Sequence, residues 1–339
     1  WPGQDLSGVR GLYHKQDLEY LERCSSGIRR AVIVGGGLIG IELAEMFQSR
    51  NIPVSFLVRE PQFWSMILPE EESKMMSRHI LQHGIDLRLN SQLKEINGDE
   101  AGKVHSVTLD SGEEIKCDYV GLTAGVSPNI KFIESSEIET DRGILVDEYL
   151  RTNIPDVFAI GDCAQLRNPR RGRRDVEAVW YTGRMMGECV AQTICGEQKI
   201  YDPGIWFNSA KFFDIEYQVY GQVPSKMTDD LESFYWAHEN GKKSIRIVYE
   251  KIQQTVVGFN LMGIRFRHEV CEQWILRKST LDKVLEEIRL AFFDPEFYED
   301  CSAAILENYC KKFGKKIEAT AGWRLDEANL FLNKNNQKT

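Results

Sequence analysis

The stretch Ala31-Val-Ile-Val-Gly35-Gly36-Gly37-Leu38-Ile39-Gly40-Ile41-Glu42-Leu-Ala44 governs the reading of this sequence. Four β-prone apolar residues run directly into glycines spaced G-x-G-x-x-G, and a helix-forming segment follows. Gly35 permits the tight strand-to-helix turn, Gly37 lets the backbone approach a pyrophosphate, and Gly40 lets the helix pack close on the strand. The free N–H groups and positive dipole end of the new helix receive the phosphate charge. Residues 35–40 are therefore a candidate dinucleotide cradle. A glycine-rich turn without a ligand is the alternative, and the strand before and helix after argue against it.

The remaining composition is that of a globular protein. The 339 residues exceed one ordinary core, so two or three domains are expected. Apolar residues make up 42% and charged residues 27%. No apolar run approaches the roughly 18 residues needed to span a bilayer, and no signal-peptide pattern opens the chain. The net charge of −9 disfavours nucleic-acid binding. The eight cysteines form no C-x-x-C pair and no zinc spacing, as expected of thiols in a reducing cytoplasm. The chain starts Trp1-Pro2-Gly3, which reads as the interior of something longer.

Working outward from the cradle, residues 1–13 read as a connector and about 14–23 as a helix. A strand over 31–34, a helix over 38–49, a strand over 54–58, a helix over 70–83 and a strand over 85–89 make a βαβαβ unit of a doubly wound sheet. Residues 91–122 read as a small antiparallel meander with turns at Asn97-Gly98 and Asp110-Ser-Gly112. A strand over 119–123 ends in Ala124-Gly125-Val-Ser-Pro128. Beyond it, a strand over 157–160, a basic loop and a helix over about 175–195 are expected. From Pro203 the pattern turns β-rich (206–213, 215–221, 231–237, 244–250, 254–262), followed by helices at about 267–291 and 300–313 and a frayed Lys/Asn-rich tail. The expected domains are a linker (1–13), a Rossmann-like nucleotide domain (14–125), a related second nucleotide-binding part (126–202) and a C-terminal α+β domain (203–339).

The second informative stretch is Thr152-Asn-Ile-Pro-Asp156-Val-Phe-Ala-Ile-Gly161-Asp162. It places one carboxylate at the carboxyl end of a strand, where open α/β sheets bind ligands and where an aspartate can accept hydrogen bonds from sugar or ribityl hydroxyls. Together, GGGLIGIELA, LTAGVSPN and TNIPDVFAIGDCA resemble the pyridine nucleotide-disulfide oxidoreductase superfamily of two-dinucleotide flavoproteins, in matching order over about residues 1–200.

The resemblance implies that Gly35, Gly37 and Gly40 hold NAD(P)H. It implies that the Ala124-Gly125 stretch marks the crossover back to the FAD domain, and that Gly161 and Asp162 contact FAD through the ribityl chain. Glu42 matches a family glutamate near the flavin–nicotinamide junction and is the candidate catalytic residue; an exposed helix glutamate is its alternative. The segment through Glu177, Ala178, Val179 and Trp180 is expected to aim a helix N-terminus at the flavin pyrimidine, where its dipole stabilises negative charge. The family's first G-x-G-x-x-G, which binds the ADP half of FAD, has no counterpart among the residues before Gly35. The expectation is therefore that this chain alone holds FAD poorly, and purified protein retaining stoichiometric yellow flavin would sink it.

The nicotinamide cofactor is decided at the end of the second strand, Leu57-Val58-Arg59-Glu60. An acid there binds a ribose 2′-hydroxyl and an arginine accommodates a 2′-phosphate. Val58 stands where NADH users carry the acid, and Arg59 favours NADPH. The third glycine, Gly40, and a shifted register that uses Glu60 favour NADH. No C-terminal His-x4-Glu-Glu is present, which disfavours the glutathione-reductase class. Trp206-Phe-Asn-Ser209-Ala-Lys-Phe resembles the rubredoxin- and ferredoxin-reductase branch. Cys163 reads as inert packing rather than a redox centre.

The loop Arg167-Asn-Pro-Arg170-Arg171-Gly-Arg173-Arg174 is either a solvated loop or a docking patch for a small acidic redox protein such as an iron–sulfur protein. The cluster Trp206, Phe207, Phe212, Phe213 and Tyr217 reads as core. His79 and His83, at i and i+4 without a third ligand in view, read as surface residues, and no metal site is expected. The function expected is an FAD-dependent NAD(P)H oxidoreductase passing electrons to an acceptor, with the last domain covering the flavin and offering a homodimer surface. Its rivals are a disulfide or persulfide reductase, or an NADH oxidase, using a cysteine outside this chain, and a non-enzymatic redox sensor.

Overall fold

A computed structural model describes residues 1–170, 172–293, 296–320, 322 and 324–333. Arg171 and the end of the Lys/Asn-rich tail lie outside the described residues. The chain runs β1 (Val9–Arg10), α1 (Lys15–Cys24), β2 (Ala31–Val34), α2 (Leu38–Gln48), β3 (Val54–Leu57), α3 (Glu70–Gln82) and β4 (Asp86–Arg88). Then come β5 (Leu93–Gly98), β6 (Val104–Leu109), β7 (Glu114–Lys116) and β8 (Tyr119–Leu122). A parallel sheet has the order β1-β8-β2-β3-β4, with Ala31 opposite Val54 on one side and Tyr119 on the other. All four residues of β2 are buried, which is why its sequence is continuously apolar rather than alternating. The chain leaves β2 toward β3 and β4 and returns on the opposite flank at β8. The carboxyl ends of β2 and β8 thus form a topological switch point.

The antiparallel β5-β6-β7 meander occupies the expected place. Its first turn lies beyond Asn97-Gly98, because Gly98 is still strand and Asp99 Oδ1 accepts from the N–H groups of Ala101 and Lys103.

The next part contains the parallel pair β9 (Ile144–Val146) and β10 (Ala164–Leu166), and α4 (Trp180–Ile194), around a small core with Leu150, Met186 and Val190. Two expectations fail here. The helix starts at Trp180 rather than near residue 175, because the Asp175 carbonyl accepts from Leu166 N–H and is committed to β10. Residues 157–160 form no strand. They fold back on 150–152 through one antiparallel bridge, Arg151 to Phe158, and among the described residues no ladder continues from it.

The last part is an antiparallel sheet of β11 (Phe207–Phe212), β12 (Ile215–Gly221), β13 (Leu231–Ala237), β14 (Ser244–Glu250) and β15 (Val256–Met262), in the order β11-β12-β15-β14-β13. Helices α5 (His268–Leu276), α6 (Leu281–Glu286), α7 (Ser302–Phe313) and α8 (Leu325–Asn333) follow. The expected single helix over 267–291 is interrupted: Lys278 takes a left-handed φ of 52°, and Thr280 caps α6 by accepting from Lys283 N–H. Helix α8 falls where only a tail was expected.

Phe212, Phe213, Ile215, Tyr217, Val219 and Met262 share one core with Ile41, Phe47, Phe63, Met75, Met76 and Ile80 of the parallel-sheet unit. The helices supply the second core, around Phe234, Phe259, Trp274 and Tyr309. At the first junction the fully buried Glu72 pairs with Arg246 (Nε–Oε1, 2.8 Å) and accepts from Asn260 (3.2 Å), while Arg246 also reaches Glu71 (2.6 Å).

Candidate functional site

The glycines of the cradle divide into two physical roles. Gly35 has φ +120°, and a Cβ there would stand 2.4 Å from the Thr123 carbonyl oxygen. A Cβ on Gly40 would lie 2.3 Å from the Gly35 carbonyl oxygen and 2.9 Å from Thr123 Oγ1. A Cβ on Gly36 would meet Val58 Cγ1 at 2.8 Å. These three let β2, α2, β3 and β8 close on one another. Gly37 differs, because a Cβ there would meet nothing within 4 Å. It is the N-cap of α2 and has no side chain to satisfy the first-turn N–H groups of Leu38 and Ile39, which border that open space. An anion fits this position on both charge and room. Thr123 Oγ1 donates to the Val34 carbonyl (2.9 Å) and ties the two strand ends together, so that Ala124 and Gly125 (φ +116°) form the opposite lip.

Glu42 lies one turn into α2 with its tip exposed. Partial withdrawal from water, then the nearby Glu45 carboxylate, raise its pKa above the ordinary value. At the end of β3, Val58 is buried beneath Gly36, whereas Arg59 is exposed and pairs through Nε with Glu60 Oε1 (2.7 Å). Arg59 and Glu60, the two candidates for reading the ribose, thus hold each other.

A second set of residues gathers around α4. Gly161, Asp162 and Cys163 form a 3-10 turn. A Cβ on Gly183, in the first turns of α4, would lie 3.4 Å from Gly161 Cα, so the turn packs against the head of the helix. Asp162 is exposed. Val179 is the N-cap of α4 without a side-chain capping bond, and Trp180 is 69% exposed. Cys163 is a half-buried free thiol with Sγ 3.6 Å from the Ile160 carbonyl.

The arginine loop is neither uniformly solvated nor uniformly available for docking. Arg173 has a side chain only 4% exposed, forms a buried ion pair with Glu177 and donates to the Ile205 carbonyl (2.8 Å). Its guanidinium also lies over the Trp206 ring, 5.3 Å from the centroid. It is an internal fastener. Arg167 pairs with Glu139 and Arg170 with Asp202 (2.5 Å), while Arg174 is exposed. A polar hollow of about 660 Å³ opens between Arg142, Gln165, Arg167, Arg173 and Asp175. It lies on the β9–β10 part rather than at the glycine cradle.

The expectation that His79 and His83 are surface residues is corrected for His79, whose side chain is 1% exposed and lies 2.7 Å from Asp214 Oδ1. The i, i+4 spacing was visible in the sequence. The third partner was not, because it arrives on the turn between β11 and β12. Of the aromatic cluster, Phe212, Phe213 and Tyr217 are buried and Trp206 and Phe207 partly buried, as core residues should be.

A parallel sheet with an open glycine turn at its switch point is the architecture of the Rossmann-like class. The chain belongs to the pyridine nucleotide-disulphide oxidoreductase family, whose model matches residues 2–187. It is 29% identical over 194 residues to rubredoxin-NAD(+) reductase of Ectopseudomonas oleovorans, covering 57% of this chain and 50% of that protein. It is 31% identical over 212 residues to rhodocoxin reductase of Rhodococcus erythropolis, covering 62% of this chain and 49% of that one. The chain thus spans about half the length of these relatives. Among solved structures, a NAD-dependent persulfide reductase from A. fulgidus shares the fold with a TM-score of 0.76 at 20% identity, over 92% of this chain and 61% of that one. Among the described residues no helix is long and apolar enough to cross a membrane.

Proposed function

We propose that this chain carries the nicotinamide half, and part of the flavin half, of an FAD-dependent NAD(P)H oxidoreductase. The observation that carries the reading is the open space at Gly37, set at the head of α2 and at the switch point, between glycines that admit no Cβ. Bound FAD and NAD(P)H would supply the hydride-transfer chemistry and the electrons for an acceptor. The protein's share is binding and orientation. Gly37 and the first-turn N–H groups of α2 hold the pyrophosphate, and Glu42 stands at the junction. Asp162 would accept from ribityl hydroxyls, and the uncapped head of α4 would stabilise negative charge on a bound flavin.

The names of the rubredoxin and rhodocoxin reductases support a small iron–sulfur protein as the acceptor. The exposed guanidinium groups of Arg170 and Arg174 would favour an acidic one. The direct test is a calorimetric titration of the chain with NADH, NADPH and FAD. One saturable site for a nicotinamide dinucleotide, with FAD binding at least about 10-fold weaker, is expected. Absence of saturable binding by either nicotinamide cofactor refutes the reading.

A further inference from the structure

The junction between α3 and the β11–β12 turn carries a second polar cluster, remote in sequence from the cradle. His79 Nε2 lies 2.7 Å and His83 Nε2 3.6 Å from the same oxygen, Asp214 Oδ1. One donor atom from each of these residues falls within 4.8 Å of the others. His83 Nδ1 lies 2.9 Å from the His79 carbonyl oxygen, which can only accept. The proton of a neutral His83 is thereby assigned to Nδ1, and Nε2 presents a lone pair to the cluster. Asp214 Oδ1 is likewise an acceptor. Both ring nitrogens of His79 are buried without a hydrogen-bond partner, and the short approach to Asp214 does not have hydrogen-bond geometry. Two imidazole nitrogens and one carboxylate oxygen therefore converge on one point where the buried His79 ring makes no well-formed hydrogen bond, an arrangement that a shared cation would satisfy.

The surroundings suit a metal ligand set. His83 stacks on Phe213 at 4.2 Å with 17° between the planes, which fixes the ring. Lys242 Nζ binds the other oxygen of Asp214 at 2.7 Å, so Oδ1 is held toward the histidines. A backbone carbonyl on the far imidazole nitrogen and a partner on the second carboxylate oxygen are the outer-shell contacts that orient ligands in metal sites.

We propose that His79, His83 and Asp214 bind a divalent transition-metal ion of the zinc class, fastening α3 to the β11–β12 turn. Two imidazole nitrogens and one carboxylate oxygen are a borderline-to-hard donor set that suits zinc in preference to magnesium or calcium. The Asp214 side chain is 51% exposed, so the ligand set is open to solvent on that side. Two ligands come from the dinucleotide unit and one from the C-terminal sheet, so the metal would act as a clamp between them.

The experiment treats the whole chain with a chelator, removes the chelator, and titrates with zinc chloride in competition with a chromophoric indicator. The protein, Asp214→Asn and His83→Gln are compared. One zinc per chain is expected, with affinity at least about 10-fold weaker in either variant. Cobalt substitution should give a visible spectrum without thiolate charge-transfer bands, which separates this site from the eight cysteines. Circular dichroism and the metal-free melting temperature establish that the variants fold, since both altered side chains reach solvent. No saturable zinc binding, binding undiminished in both variants, or a thiolate-type cobalt spectrum overturns the proposal.

Discussion

Gly37→Ala and Gly40→Ala should separate the binding role of the cradle from its folding role. At Gly40 the new methyl would stand 2.3 Å from a backbone carbonyl oxygen, and backbone cannot rotate away as a side chain can. Overpacking of this kind costs about 1–3 kcal/mol, offset by up to about 1 kcal/mol because alanine is the better helix former. A net loss of about 1–2 kcal/mol follows, or a melting temperature lower by several degrees. At Gly37 the methyl meets nothing and φ is an ordinary −103°, so the fold should be insensitive. The change of N-cap from glycine to alanine is worth less than about 1 kcal/mol. The same methyl occupies the space assigned to the pyrophosphate, and a lost close contact there should weaken nicotinamide binding by about 10- to 100-fold, equivalent to 1.4–2.8 kcal/mol. The assay is a thermal melt of each variant alone, followed by NADH and NADPH titration. If Gly37→Ala binds as the parent does while Gly40→Ala melts unchanged, the cradle has been misread.

Glu72→Gln leaves the buried Arg246 guanidinium with the partly exposed Glu71 as its remaining carboxylate and Ser233 as a neutral acceptor, and should cost about 3–5 kcal/mol in chemical denaturation. Glu72→Gln combined with Arg246→Met should recover part of that loss, and strict additivity would refute the pairing. Arg173→Ala strands the buried Glu177 and should also cost about 3–5 kcal/mol, whereas Arg170→Glu should change stability by less than about 1 kcal/mol because its pair is exposed. Charge reversal at Arg170 and Arg174 that leaves electron transfer and its salt dependence unchanged would remove the docking reading. Arg59→Ala should reduce NADPH binding by about 10-fold relative to NADH; an unchanged ratio would exclude Arg59 as the 2′-phosphate ligand. The Arg29 guanidinium holds Asp118 below its ordinary pKa, so this pair stabilises the fold above the carboxylate range and loses its effect as pH falls through the depressed value. The stability gap between the protein and Asp118→Asn should therefore be full near neutrality and close in acid, as read by melts across pH.

The parallel sheet was legible because its signals are local. A four-residue apolar run buried on both faces, a turn that only glycine can make, and an apolar helix stripe all lie within one short stretch of chain. The β-rich texture after Pro203 was legible for the same reason. What escaped depends on partners distant in sequence. The run 157–160 has the composition of a strand, but a strand exists only where a neighbour accepts its hydrogen bonds, and among the described residues the one β-bridge of this run is to Arg151. The head of α4 moved because the Asp175 carbonyl was taken by Leu166. Arg173 looked like part of a solvated basic loop until Glu177 and the Ile205 carbonyl enclosed it.

His79 illustrates the limit most sharply. The same helical periodicity that places Met75, Met76 and Ile80 in the core also governs position 79, and its polar identity masked that burial. A buried imidazole needs a partner, and the partner lies on a hairpin turn that no local pattern connects to α3. The sequence therefore exposes the candidate cradle, whose glycines lie in one contiguous segment, and conceals the junction with the C-terminal sheet. That junction positions Glu45 of α2, whose carboxylate accepts from Phe213 N–H at 3.2 Å, one turn from Glu42 on the same helix. Loosening of the sheet against α2 and α3 should therefore reach the helix whose head is the candidate cradle. Asp214→Asn should consequently weaken nicotinamide binding without a direct contact to the ligand, and an unchanged affinity in the same NADH and NADPH titration would refute this coupling.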